Sequence, residues 1–369
     1  MASTKYRRER HIAIMAVQQA SLLSKAVMRS IRHISKKDST PVTVADLAIQ
    51  ALLISTLSNT FPTDEFLGEE SAEALRQDDE LRNLVWEMVS SANSFQTAQD
   101  TDAVLVKPSS PEEMMDLIDR GGLGVGGPEG RVWIMDPIDG TATFIKGGQY
   151  AVALALVEDG NEVLGVVGCP NIARDTTQIE GMLADDDGHG FLLSAVRGDG
   201  GVQLQPLAPG DLPAGQFIPS RQWNAEDESS SIQLTDLNLV DSTLGQAHHL
   251  TRCKKLADEL GCTKFPGTDV WSTQLRLITI ALGTRNNSQI RMPPAKLPGG
   301  AEDPENDVWD YAGAHLILQE SGAAVSDLDG KEIDFGAGRK LANNWGLVAA
   351  SHTGLHRQVR GRVREFLRV

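Results

Sequence analysis

Asp136 and Asp139 stand three residues apart where an apolar run, residues 132–135, breaks at Pro137 and then Gly140. The run reads as a buried strand, and proline followed by glycine turns the chain at its end. A strand end is a rigid mount, so both carboxylates can project into one cleft. Two carboxylates held close together repel unless a cation neutralises them, which points to a hard divalent metal bound through oxygen. Three further acidic features sit at element boundaries beside glycine, proline or an aromatic: Asp46, Glu69 with Glu70, and Asp307 and Asp310 around Trp309. Taken singly, each has a structural explanation; Asp46 fits a helix N-cap, and paired glutamates after a strand are commonly solvated. Taken together, the four supply oxygen ligands for two or three magnesium ions. That arrangement suits phosphoester hydrolysis, one ion activating a water and another neutralising charge on the leaving oxygen.

The elements that must position these residues follow from periodicity and turn signals. Residues 5–34 carry Ile12, Met15, Val17, Ala20, Leu23, Val27 and Ile31 at helical spacing and predict an amphipathic helix. Pro41 ends a polar loop, and Asp46 begins a second helix over 47–59 with Leu47, Ile49, Leu52, Leu53 and Leu57 on its buried side. Phe66 and Leu67 form a short strand that runs into Gly68-Glu69-Glu70-Ser71, where Ser71 can cap the next helix. Residues 73–120 read as helical and charged. Residues 121–130 hold six glycines and a proline and predict a surface loop before the central strand. Beyond Thr141, residues 151–157 and 163–167 form an antiparallel hairpin in the sheet of the central strand, and 191–202 offers another strand pair. Residues 206–232, rich in Pro, Gly, Ser and acidic side chains, mark a lobe boundary. The expected division is a lobe over 1–205 with most metal ligands and a lobe over 206–369 with the last ligand and the nucleotide-binding residues. In the second half strand and helix alternate: strands at 237–240, 290–292, 323–325 and 347–350, helices at 250–260, 271–282 and 309–321. This is an α/β (α+β) pattern.

Composition bounds the function classes. A chain of 369 residues is long for one core, and 41% hydrophobic residues with 35 glycines suit a globular enzyme rather than a disordered or fibrous chain. No apolar run approaches the roughly 20 residues that span a bilayer, so no membrane partner is expected. The formal charge of -16 argues against a nucleic-acid coat, and an anionic substrate would need metal or local Arg and Lys to reverse the field. Cys169, Cys253 and Cys262 form no zinc spacing and no disulfide framework, which points to a reducing, cytoplasmic compartment. The basic N-terminus at Lys5, Arg7, Arg8 and Arg10 is followed by no signal-peptide apolar core, and Glu9 argues against a mitochondrial presequence. There is no Walker-type glycine loop and no Gly-x-Ser-x-Gly elbow; the glycines at 121–127 precede a strand rather than linking strand to helix.

Asp-Pro-Ile-Asp-Gly-Thr at 136–141, Gly-Glu-Glu-Ser at 68–71 and Trp-Asp at 309–310 resemble the signature of the inositol monophosphatase superfamily, lithium-sensitive and magnesium-dependent phosphatases. Within it, Pro-Val-Thr-Val-Ala-Asp at 41–46, Phe-Ile-Lys-Gly-Gly-Gln-Tyr-Ala-Val-Ala at 144–153 and Asp-Phe-Gly-Ala-Gly-Arg at 334–339 are similar to the 3'(2'),5'-bisphosphate nucleotidases. The resemblance runs from about residue 12 to residue 351 and implies a layered α-β-α-β-α sandwich. It implies metal ligation by Glu69, Asp136, Asp139 and Asp310, with Ile138 contributing its carbonyl and Asp136 bridging two ions. It implies that Asp46 and Thr141 orient and deprotonate the attacking water, and that Glu70 holds Glu69 or a water. Around the nucleotide it implies Gly140, Thr141 and Asp310, a hydroxyl from Ser272 or Thr273, Arg276 where the family has lysine, Arg291, and a histidine that is either His248 or His249. The departures of 71–132 and 206–232 from the family bear on the shape of any lid. The implied reaction, in a monomeric enzyme, is removal of the 3'-phosphate from adenosine 3',5'-bisphosphate, with 3'-phosphoadenosine 5'-phosphosulfate as a second substrate, in sulfate assimilation. The alternatives are an inositol phosphate phosphatase using the same metals and a non-catalytic sensor; a sensor would not need the Asp46 and Thr141 pair.

Overall fold

Buried apolar cores lie between two β-sheets and three sets of helices. The computed structural model describes residues 5–31, 40–92, 106–173, 179, 188–221, 233–244, 247–293 and 306–368. The chain begins with α1 (Arg7–Ile31), α2 (Thr40–Thr60), β1 (Glu65–Gly68), α3 (Glu73–Gln77), α4 (Asp79–Ser91) and α5 (Pro111–Gly122). Next come β2 (Arg131–Asp139), α6 (Thr141–Ile145), β3 (Ala151–Glu158), β4 (Asn161–Cys169), β5 (Phe191–Val196), β6 (Gly201–Pro206) and β7 (Gln216–Pro219). These seven strands form one sheet in chain order, β1 parallel to β2 and every other neighbour antiparallel. The chain then runs through β8 (Asn238–Asp241), α7 (Ala247–Leu260), β9 (Thr268–Asp269), α8 (Thr273–Leu282), β10 (Asn287–Arg291) and α9 (Ala314–Glu320), and ends with β11 (Ala324–Ser326), β12 (Leu347–Ala350) and α10 (Thr353–Leu367). The second sheet has the order β11-β12-β10-β8-β9.

Alternation along β2 explains the layering. Trp133 and Met135 face α1 and α2, packing with Ile12, Val17, Ile49 and Leu53. Val132 and Ile134 face the other way, into a core with Leu275, Ile278, Leu316 and Ile317 of α8 and α9. Those two helices also meet Val240, Leu347 and Ala349 of the second sheet. The far side of that sheet is covered by Cys253 and Leu256 of α7 and Val359 and Val363 of α10. The order is therefore helix, sheet, helix, sheet, helix, the α-β-α-β-α sandwich the sequence implies. Because both faces of the central strands are buried, they read as continuous apolar runs. The first sheet continues past residue 205 to β7, and residues 222–232 lie outside the described residues.

Three expectations are corrected. Helix α2 starts at Thr40, not at 47, so Asp46 lies inside the helix rather than at its cap, and Pro41 falls in the first turn, where a missing N–H costs nothing. Residues Val42–Thr60 of that helix are long and apolar enough to cross a membrane, contrary to the expectation, although 83% of the most apolar window is buried in this fold. The helix expected over 309–321 begins only at Ala314, because Gly313 at φ 100° interrupts it. Helices α6 and α10 had no counterpart among the sequence expectations.

The turn before α9 depends on a close approach of backbones. Gly165 on β4 passes so near Gly313 that a Cβ at 165 would run into the Gly313 carbonyl. Backbone cannot yield as a flexible side-chain end can, so Gly165→Ala is expected to cost about 1–3 kcal/mol of stability, measured as a lowered urea midpoint. An unchanged midpoint would contradict this packing.

Candidate active site

The register between β2 and β3 shifts between Asp136 and Asp139. In a regular strand, residues three apart point to opposite faces; the irregularity resets the alternation and lets both carboxyls face one cleft. Pro137 fits here because it has no N–H to give the ladder. Gly140 follows at φ 97°, and a Cβ there would press on Thr143 Oγ1 at 2.9 Å and Ser272 Cβ at 3.1 Å, so the turn into α6 requires glycine.

Asp139 is clamped to the N-terminus of α8. It accepts hydrogen bonds from Ser272 Oγ (2.5 Å), Gln274 N (2.6 Å) and Thr273 N (3.2 Å). Ser272 also caps the helix, accepting from Leu275 N at 3.0 Å. The buried side chain of Gln274 donates to the carbonyls of Trp309 (2.7 Å) and Ala312 (2.9 Å). One residue thus ties Asp139 to the turn that carries Asp310. The Glu69 side is held by Gln50 of α2, which donates to Glu70 O (2.6 Å) and Ile118 O (2.9 Å) and accepts from Glu70 N (3.0 Å). Arg339 closes the frame: it donates to Gly68 O (2.9 Å) and Gly124 O (2.8 Å), and its guanidinium lies 4.6 Å from the centre of the Trp309 ring. It therefore links the end of β1, the glycine loop and the Asp310 turn. Ser272 is one of the two residues, with Thr273, expected to supply a substrate hydroxyl, and the sequence assigns no role to Gln50, Gln274 or Arg339. Ser272 has a local signal, as a serine directly before an apolar helix, and Arg339 ends the motif at 334–339; Gln50 and Gln274 have none.

The electrostatics of this cleft are those of crowded carboxyls. Burial, then Glu69, Asp139, Asp310 and Asp46, hold the Asp136 carboxyl well above the usual carboxylate range. Burial and the charges of Glu70 and Glu69 do the same to Asp46. Glu69 is pushed up to about 8 by burial and by Glu70, Asp310 and Asp139. It retains an exposed surface at the mouth of the cleft, so the neighbouring carboxyls are the firmer cause. Asp310 rises to about 7, through burial, Asp139 and Asp307, against the lowering pull of Arg276 and Arg291. Glu70 is raised by burial. Asp139 is raised by burial, but Ser272, Gln274 N, Arg276 and Thr273 N oppose the shift. The buried Oδ1 of Asp136 has no hydrogen-bond partner. An acceptor buried without a donor, among side chains offering only oxygen, fits a hard divalent cation. Among the described residues, the one trio of His, Cys, Asp or Glu ligand atoms within 4.8 Å of one another is Asp241, His249 and Cys253.

The remaining predicted residues are placed as follows. Thr141 opens α6 at the cleft, its hydroxyl donating to the Ile138 carbonyl at 3.2 Å, and no hydrogen bond joins it to Asp46. Arg276 departs from the expectation of a phosphate ligand. Its guanidinium donates to Val270 O (2.9 Å) and Trp271 O (3.3 Å) and lies 3.8 Å from Asp241, because a side chain in the first helical turn folds back over the residues preceding it. Arg291 donates to Asn306 Oδ1 at 2.8 Å and helps lower Asp310. Thr273 is half-buried beside Asp139. His249 turns inward to Asp241 and Cys253, whereas the His248 side chain lies outside the described residues.

This ligand arrangement sits in a chain whose residues 7–364 match the model of the inositol monophosphatase family. The chain belongs to the inositol monophosphatase family. Its members are metal-dependent phosphatases. The chain is 36% identical over 352 residues to a 3'(2'),5'-bisphosphate nucleotidase of Emericella nidulans, covering 94% of each. It is 34% identical over 356 residues to the nucleotidase of the same name from Schizosaccharomyces pombe, covering 93% of this chain and 91% of that one. An inositol monophosphatase from Zymomonas mobilis superposes with a TM-score of 0.57 over 98% of this chain and 100% of that one. At 16% identity that likeness concerns the fold, and it agrees with the five-layer sandwich.

Raised carboxyls set the sign of a pH effect. Between the ordinary glutamate value of 4.5 and about 8, folded Glu69 holds a proton that the unfolded chain has lost. The metal-free protein should therefore lose stability as pH rises through that window, and magnesium, taking the place of the protons, should stabilise it more at the upper end than the lower. Thermal midpoints with and without magnesium across this range test the idea; an equal or larger magnesium shift at the acidic end would refute it. Ser272→Ala removes a donor from Asp139 and is expected to weaken magnesium binding by about 10–100-fold. Calorimetric titration of that variant reads this directly, and unaltered affinity would make the clamp dispensable.

Proposed function

We propose that this chain is a magnesium-dependent phosphomonoesterase that removes the 3'-phosphate from adenosine 3',5'-bisphosphate, giving AMP and phosphate. 3'-Phosphoadenosine 5'-phosphosulfate is a second substrate by the same bond cleavage, and the setting is turnover of the nucleotide bisphosphates of sulfate assimilation, by a cytoplasmic monomer. The observation that carries the reading is the convergence of Asp46, Glu69, Asp136, Asp139 and Asp310 in one cleft, in a chain 36% identical over nearly its whole length to a bisphosphate nucleotidase.

Glu69, Asp136, Asp139, Asp310 and the Ile138 carbonyl would hold the ions, two or three per site. When bound, magnesium supplies charge neutralisation for the phosphate and Lewis-acid activation of a water. The residues of the chain do the rest. Asp46, buried and with a raised affinity for protons, serves as the proton acceptor. Thr141, at the start of α6, passes the proton through its hydroxyl, which in this structure donates to the Ile138 carbonyl, the oxygen that would hold an ion. Gly140 brings backbone close to the phosphate, and the donors at the α8 N-terminus oppose the rise that burial gives Asp139 and aim its carboxyl. Arg291 and Arg276 offset the negative field near Asp310, which an anionic substrate must enter.

Asp136→Asn should remain folded, with its melting curve intact, and lose roughly three orders of magnitude in phosphate release, the several kcal/mol that metal assistance contributes. Near-normal turnover by that folded variant in magnesium would remove Asp136 from the metal site. Side-by-side assays on adenosine 3',5'-bisphosphate and inositol 1-phosphate test the substrate class, with the nucleotide expected to be the faster. Preference for the inositol ester would overturn the nucleotidase reading.

A further inference from the structure

A second group of metal-ligating side chains lies behind the second sheet, apart from the acidic cleft. Asp241 ends β8, while His249 and Cys253 are four residues apart on α7 and so share one face of that helix. All three are buried, with exposures of 4%, 6% and 3%. His249 Nε2 stands 3.5 Å from Cys253 Sγ and 3.7 Å from Asp241 Oδ2. A tetrahedral zinc ion with bonds of roughly 2.0–2.3 Å separates its donor atoms by about 3.3–3.6 Å. The two separations from His249 Nε2 are thus already near what an ion needs, and all three ligand atoms lie within 4.8 Å of one another. The Cys253–His249 contact also satisfies a thiol–imidazole hydrogen bond, whereas 3.7 Å is too long for a nitrogen–oxygen hydrogen bond between His249 and Asp241. The other carboxylate oxygen of Asp241 accepts from Ser242 N at 2.8 Å and faces Arg276 Nη1 at 3.8 Å, so Oδ2 is the atom left for a ligand.

We propose that Asp241, His249 and Cys253 form a three-ligand site for a thiophilic divalent transition metal, of which zinc is the best match. A thiolate and a carboxylate balance the double charge, and neutral imidazole completes the set. Sulfur and imidazole select a softer ion than the all-oxygen cleft does, so one chain can hold magnesium and zinc at different places. Burial and Asp241 keep the Cys253 thiol protonated in the absence of metal, and the ion would displace that proton. The fourth position falls to water or to the Ile290 carbonyl, 4.0 Å from Sγ. Arg276 neighbours both sites, lying beside Asp241 and lowering Asp139 and Asp310.

The test is a titration of the metal-stripped full chain with cobalt(II), keeping magnesium in large excess so that the oxygen-rich cleft is filled. One equivalent of cobalt is expected to bring up a thiolate-to-cobalt charge-transfer band, and added zinc should abolish it. Cys253→Ser should lose the band and Cys262→Ser should keep it. Asp241→Asn, a milder change that retains the sulfur, should bind cobalt about tenfold or more weakly. Absence of a charge-transfer band in the wild-type chain, its survival in Cys253→Ser, or undiminished affinity in Asp241→Asn would each overturn the site.

Discussion

Carboxyl groups brought together out of water repel one another, and most of this protein's architecture can be read as what is needed to hold them there. Six of them, on α2, after β1, on β2 and in the turn before α9, act on one another electrostatically in one cleft. Left to themselves they would keep protons or move apart. The structure holds three of the segments that carry them from behind, through neutral donors or a backbone clamp. Asp139 takes three donors from the start of α8, Gln50 fixes the backbone at Glu70, and Gln274 fixes the turn that bears Asp310. None of these partners brings a positive charge to the cleft itself, so the negative field remains for cations.

The five layers matter for the same reason. The ligands and the proton acceptor Asp46 come from four segments widely separated in the chain, and only rigid packing can keep such segments in register. α8 and α9 lie between the sheets and contact both, so the second sheet reaches the site through Gln274 and Asp139. Arg339, distant in sequence from every ligand, connects the end of β1, the glycine loop and Trp309. Its role is to hold backbone, and that leaves the arginines nearer the cleft, Arg276 and Arg291, as the local positive charges.

Arg276 and Asp46 illustrate two limits of reading side chains along a sequence. Asp46 looks like a helix cap because an acidic residue precedes an apolar run, yet the helix extends six residues further back through a proline that only the first turn tolerates. Arg276 stands where the family resemblance implies a basic residue at a phosphate. In the fold it turns back onto Val270, Trp271 and Asp241, since those acceptors are nearer. The cysteines offer a third case. No zinc pattern is visible in their spacing along the chain, but His249 and Cys253 lie one helical turn apart and Asp241 arrives from a neighbouring strand.

By itself the sequence determined the apolar strands and helices, the α/β alternation, and the acidic motifs with their glycines and proline. Such features are local: periodicity, turn chemistry and the repulsion of adjacent charges act over a few residues. The tertiary structure alone decided that a shifted register turns Asp136 and Asp139 to one side, that Asp139 is anchored on a helix more than a hundred residues later, and that Gln50, Gln274 and Arg339 hold the ligand-bearing segments together. Those contacts join residues far apart in the chain, and which distant donor meets which acceptor is settled only when the layers pack.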